Sequence, residues 1–126
     1  MGLRHEKVVM ALKREISSVI HNQLKDPRLG FVTIMRVDLS ADLRYARVYF
    51  SVLGGENEQK TTLKVLKNAK VFIRYLIAQR INLRFVPEIT FKLDRSAEYS
   101  IKIQEEIDKL KEEDEYKKSH RLHKGT

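Results

Sequence analysis

The chain has no cysteine, two prolines and five glycines among its 126 residues. The absence of cysteine excludes a disulfide scaffold, a thiolate zinc site and a cysteine nucleophile. Glycine is too sparse for a phosphate-cradling loop: Gly54-Gly55 stands alone, and no G-x-x-x-x-G-K pattern occurs. No run of about 18 apolar residues is present, and Met1 to Lys13 lacks the apolar stretch of a signal peptide, so the sequence predicts a cytoplasmic protein. Histidine is scarce as well. His5 and His21 have no Ser, Asp or Glu at a catalytic motif spacing, and His120 with His123 makes a two-imidazole pair without a third ligand. Asp38, Asp42 and Asp94 fall at strand ends and turns, where aspartate is common for its turn chemistry. The expectation is a non-catalytic protein with no cofactor and no bound metal.

What the sequence does have is positive charge in one region. The formal net charge is +8, with 33% charged and 42% hydrophobic residues. Residues 1–100 hold 18 Lys/Arg against 10 Asp/Glu, whereas residues 101–126 hold seven of each. A folded surface of that charge attracts phosphate polyanions by Coulomb steering and counterion release, which makes nucleic acid the leading partner. A basic surface that holds an acidic protein is the alternative.

The length fits one domain. From Arg4 to Lys25, Val8, Val9, Leu12, Ile16, Val19 and Ile20 fall on one helical arc, and Lys7, Arg14, His21 and Lys25 on the opposite side. Asp26-Pro27 should end this helix, because proline disfavours helical geometry in the residue before it. Phe31 to Leu39 alternates with apolar residues on both faces, which predicts an interior strand. A short polar connection, Ser40 to Leu43, leads into a second strand in which Ala46, Val48, Phe50 and Val52 alternate with Tyr45, Arg47, Tyr49 and Ser51, so the two should pair antiparallel.

The next helical pattern runs from Asn57 to Asn82. At about 1.5 Å per residue a straight helix of that length would reach about 39 Å, beyond a small domain's roughly 30 Å, so a break is expected near Asn68 to Val71. A short strand follows Pro87 with Ile89, Phe91 and Leu93 inward. The element order predicts an α+β fold, with helices on one face of a three-stranded sheet. Residues 1–96 form the expected domain. Residues 97–126 carry a thin stripe, Ile101, Ile103, Ile107 and Leu110, and then pass into a nearly all-charged end, which predicts a C-terminal helix fraying into a disordered tail.

Two sets of residues suit RNA. Lys60, Lys64, Lys67, Lys70, Arg74, Arg80 and Arg84 surround the broken helix, and Asn57 to Phe85 contains only Glu58 as an acid. On the second strand, Tyr45, Arg47 and Tyr49 could offer stacking faces and cations. The candidate phosphate contacts are Lys7, Arg14, Lys25 and Arg28 from the first helix and its turn, with Lys67, Lys70, Arg74, Arg80 and Arg84.

Lys25-Asp26-Pro27-Arg28-Leu29, Val32-Thr33-Ile34, Val37-Asp38-Leu39-Ser40, Asp42-Leu43, Ala46-Arg47-Val48-Tyr49, Phe72-Ile73-Arg74 and Leu83-Arg84-Phe85-Val86-Pro87-Glu88-Ile89-Thr90-Phe91 with Asp94, taken in this order, resemble the bacterial ribosome-binding factor A family. The resemblance covers about Arg4 to Ile107. It implies a KH-like domain of the second type, αββααβ, whose long helix is broken at an Ala-x-Gly signature. The equivalent residues here are Ala69, Lys70 and Val71, so the glycine is absent. It further implies a monomeric, non-catalytic factor that binds the immature small (30S) ribosomal subunit and its 16S rRNA and assists late maturation, rRNA processing and cold adaptation.

Because so little apolar material follows Leu110, removal of residues 112–126 is expected to leave the fold intact. Thermal unfolding checks this: a fall in Tm above about 8 °C would show that the tail contributes to the core.

Overall fold

In the computed structural model, residues 2–96 and 104–114 are described; the expected Ile101 and Ile103 stripe, His120 and His123, and the charged end after residue 114 lie outside them. Met1–Asp94 and Arg95–Thr126 form separate units, and in the second, residues 104–114 are helical with exposed side chains. Among the described residues no helix is long and apolar enough to cross a membrane.

The first unit contains α1 (Leu3–Asn22), β1 (Val32–Leu39), β2 (Tyr45–Val52), α2 (Glu56–Asn68), α3 (Lys70–Arg80) and β3 (Glu88–Leu93). The sheet order is β1-β2-β3, with β1 antiparallel and β3 parallel to the central β2. On β2 the expected alternation holds: Ala46, Val48, Phe50 and Val52 are buried. They meet Leu12, Ile16, Val19 and Ile20 of α1, Leu66 of α2 and Ile73 and Ile77 of α3 in one core. Phe50 and Phe91 touch edge to face, with ring centroids 6.3 Å apart. The opposite face of the sheet carries the exposed Thr33, Arg36, Arg47 and Thr90.

β1 differs from the sequence expectation. It is an edge strand rather than an interior one, and only one of its faces is buried. Pairing slips between Ile34 and Arg36, so that Met35 and Arg36 together oppose Tyr49. This bulge reverses the side-chain phase. Val32 and Ile34 before it, and Val37 and Leu39 after it, all face the core. The apolar residues that seemed to lie on two faces therefore lie on one.

The edge is tied to α1 at both ends. His5 Nε2 donates to the Leu39 carbonyl at 2.8 Å, and His21 Nε2 donates to that of Val32 at 2.7 Å. In the β1–β2 connection Leu43 adopts a left-handed conformation (φ 64°). Around it, Asp42 Oδ1 accepts from the Ser40 hydroxyl at 2.6 Å and the Arg44 amide at 3.1 Å. Gly54 has φ 135°, which only glycine adopts at little cost, and lets the chain turn into α2, where the Glu58 carboxylate accepts from the Gly55 amide at 2.9 Å.

The long helix breaks as expected, at Ala69 alone (φ −88°, ψ 0°); Lys70 and Val71 already belong to α3. These angles are open to any L-residue, so the break needs no glycine. Val71 projects outward, 78% exposed, where a valine side chain obstructs nothing.

Gly30 is held closely on two sides. Its amide donates to Thr62 Oγ1 at 3.1 Å, and an added Cβ would stand 2.9 Å from Val52 Cγ1 and 3.2 Å from Thr62 Oγ1. Gly30→Ala is expected to cost about 1–3 kcal/mol by overpacking, checked by urea denaturation. Val71→Gly should cost up to about 1 kcal/mol, the ordinary penalty of glycine in a helix, because position 71 is helical and lies outside the break.

Candidate nucleic-acid interface

The turn after α1 and the break between α2 and α3 are far apart in sequence and adjacent in space. Leu24, Lys25, Asp26, Arg28, Val65, Asn68 and Ala69 line a single cleft of about 230 Å³. Local chemistry shapes the turn. Asp26 Oδ1 accepts from the Arg28 amide at 2.9 Å, and the Asp26 carbonyl accepts from the Leu29 amide at 3.0 Å. The Arg28 guanidinium closes onto the same carboxylate in a fork, at 3.1 Å and 2.8 Å. These bonds hold the Asp26 carboxyl down at about 2. The bond from Gly30 to Thr62 then anchors the turn to α2.

Lys25 and Arg28 therefore stand beside the helix break, and Lys67 and Lys70 flank its lining residues Asn68 and Ala69 in the chain. Lys25, Lys67 and Lys70 have no ion-pair partner among the described residues; Arg28 shares its charge with Asp26. The cleft has one unneutralised ammonium, Lys25, and part of a guanidinium on its wall, with two more unpaired lysines next to its lining residues in the chain, which suits a phosphate backbone.

The remaining sequence candidates have other positions. Lys7 and Arg14 are exposed on α1, where the Arg14 Nε lies 3.5 Å from Glu15. His21, expected on the same outer ridge, instead bonds to β1. Arg80 lies 3.6 Å from Glu15 Oε2 and donates to the Ser18 hydroxyl at 3.4 Å, joining α3 to α1. Arg74 donates to the carbonyls of Val86 and Pro87, each at 3.2 Å, and so fixes the chain that leads into β3. Arg84 is exposed, its guanidinium carbon 5.6 Å from the centre of the Phe85 ring.

On the open face of the sheet the three expected residues are not equivalent. The Arg36 guanidinium covers the Tyr49 ring at 4.0 Å from its centroid. Tyr45 is 59% exposed and, with Arg44, Arg74, Phe85, Val86 and Glu88, lines a second cleft of about 270 Å³. Arg44, Phe85 and Glu88 escaped the sequence reading as site residues. The available signal was Phe85 itself, a large aromatic in the connection between α3 and β3, next to Arg84.

Comparison with known proteins converges on one family. The family model for ribosome-binding factor A matches residues 4–107. The chain is 46% identical over 110 residues to ribosome-binding factor A of Macrococcus caseolyticus, an alignment covering 87% of this chain and 96% of that one. Among solved structures, a Thermotoga maritima protein determined by solution NMR is 41% identical, with TM-score 0.65, over 72% of this chain and 87% of its own. A homology model of Thermus thermophilus ribosome-binding factor A, fitted into the cryo-EM map of a 30S complex, is 27% identical with TM-score 0.56, covering 76% of this chain and 97% of that one.

The carboxyl of Asp26 is depressed in the folded state, so its stabilising contribution is complete above its ordinary value of 3.8 and is lost as pH falls through about 2. An NMR titration of Asp26 should show a midpoint near about 2, and Arg28→Ala should raise it toward 3.8. Arg74→Met should cost about 1–3 kcal/mol by leaving two carbonyls without their charged donor. Arg74→Lys should recover only part of this in thermal unfolding, because an ammonium cannot reproduce the guanidinium fork.

Proposed function

Because the chain belongs to the ribosome-binding factor A family, we propose that it is a non-catalytic, cytoplasmic assembly factor that docks on the immature small ribosomal subunit and its 16S rRNA, assists late maturation and rRNA processing, and then leaves. The observation that carries this reading at the level of residues is the cleft that joins Lys25 and Arg28 to the helix break at Asn68 and Ala69. Phosphates of a folded RNA strand could span it, with Lys67 and Lys70 on one side and the α1–β1 turn on the other. Contacts of this kind position the protein on RNA shape and carry no sequence code. The fitted Thermus thermophilus relative supports the small subunit as the particle bound.

Arg74 and Arg80 serve the fold in this reading, Arg28 contributes part of its charge, and Lys7, Arg14 and Arg84 form outlying contacts. An acidic protein would also be drawn to the lysines, and the choice of ligand separates the two cases. Intact immature subunits should compete for the protein far better than an acidic polypeptide of similar charge.

Changing Lys25, Lys67 and Lys70 together to Ala should weaken subunit binding and lower the magnitude of the log-log salt slope by roughly 2 to 3 units. The Tm should barely move, since exposed cations contribute little to stability. Parental affinity and slope in the triple variant would remove this cleft from the interface.

A further inference from the structure

The second cleft has a chemistry that phosphate binding does not explain. Tyr45 is 59% and Phe85 68% exposed, and both line it. The Tyr45 backbone is held directly and that of Phe85 through its neighbours. The Tyr45 amide donates to Ser40 Oγ at 3.0 Å, and its carbonyl accepts from the Ser40 amide at 2.8 Å. Phe85 immediately precedes the two carbonyls that Arg74 grips. The Glu88 amide donates to the Arg44 carbonyl at 2.8 Å, locking the start of β3 against the start of β2. Two aromatic rings are thus presented to solvent from an ordered frame, an arrangement that loses little entropy when a planar ligand stacks on them.

Resting on the ribosome-binding reading, we propose that this cleft seats a single unstacked RNA base, guanine by preference, against Tyr45 and Phe85. Arg44 lines the cleft and Arg84 lies beside Phe85, which provides cations for the phosphates on either side of the base. Arg74 is committed to backbone carbonyls and shapes the cleft without being needed for the ligand. Glu88 has no ion-pair partner among the described residues and lines the same cleft. An ionised carboxylate only accepts hydrogen bonds, and guanine alone among the bases presents two adjacent donors, N1–H and the N2 amino group, on its Watson–Crick edge. The cleft of about 270 Å³ has room for a base. The sheet offers no equivalent second seat at Tyr49, whose ring Arg36 already covers.

The test uses the full chain with U-rich RNA pentamers carrying a central G, A or C, followed by aromatic ¹H–¹³C NMR, and small-subunit binding by the variants. The G pentamer should move the Tyr45 and Phe85 ring resonances most, and Glu88→Gln should abolish that preference while leaving the stacking shifts. Subunit affinity of the Tyr45→Leu/Phe85→Leu double variant should fall about tenfold or more with the salt slope unchanged, because stacking neutralises no phosphate. Phe85→Leu alone, outside any strand, carries the same test with little risk to the fold. Rings unmoved by every pentamer, together with parental subunit affinity in the double variant, would overturn the base seat and leave the ribosome-binding reading standing. Ring shifts with RNA in a protein that fails to bind immature subunits would support the seat and overturn that reading. Shifts produced only by RNA-free ribosomal proteins would overturn the proposal in favour of a protein occupant.

Discussion

Strand β3 runs parallel to β2, and Glu88 pairs with Tyr45 at the start of both strands, so the chain leaving β2 at Val52 must be carried back along the whole strand before it can pair. An eight-residue strand spans about 26 Å, whereas the 13 residues of α2 and 11 of α3 would reach about 36 Å in one straight helix. The crossover is therefore too long to lie straight, and the turn at Ala69 accommodates the excess. With the break there, Leu66 of α2 and Ile73 and Ile77 of α3 all reach the common core, and Arg74 meets the carbonyls of Val86 and Pro87 as the chain enters β3. Both clefts follow from this return path: one forms where the crossover bends, the other where it rejoins the sheet.

Features that depend on neighbours in sequence were legible before the fold was known. The amphipathic arc of α1, the alternation of β2 and the need for a break after Asn68 are all of this kind; α1 itself ends at Asn22, before the expected stop at Asp26-Pro27, so Lys25 lies in the turn and not on the helix. The phase of β1 was not legible, because a bulge depends on the partner strand. With Met35 unpaired, an alternation that reads as two apolar faces becomes one. The edge position of β1 is likewise a property of the assembled sheet, invisible in a strand rich in valine and isoleucine.

For the interface, the sequence showed which residues are cationic but could not show which cations the fold itself uses. The structure divides them largely by type. Arg28 forks onto Asp26, Arg36 covers Tyr49 beside Asp38, Arg74 holds backbone carbonyls and Arg80 joins Glu15. The planar guanidinium suits these directional contacts, and the lysines, compact and strongly hydrated, are left for a mobile polyanion. Lys7, Lys25, Lys67 and Lys70 keep their full charge accordingly, as none has an ion-pair partner among the described residues.

The two histidine contacts on β1 bear on how the protein behaves in concentrated solution. An exposed edge strand of β-branched residues is a template on which another chain can add, the first step toward cross-β growth. His5 and His21 occupy the Leu39 and Val32 carbonyls at the two ends of the strand, and the Met35 bulge interrupts the straight run between them. A foreign strand would have to displace both imidazoles and match an irregular backbone to gain its hydrogen bonds. The edge thus carries its own guard against fibril growth, built from side chains of the helix beneath it.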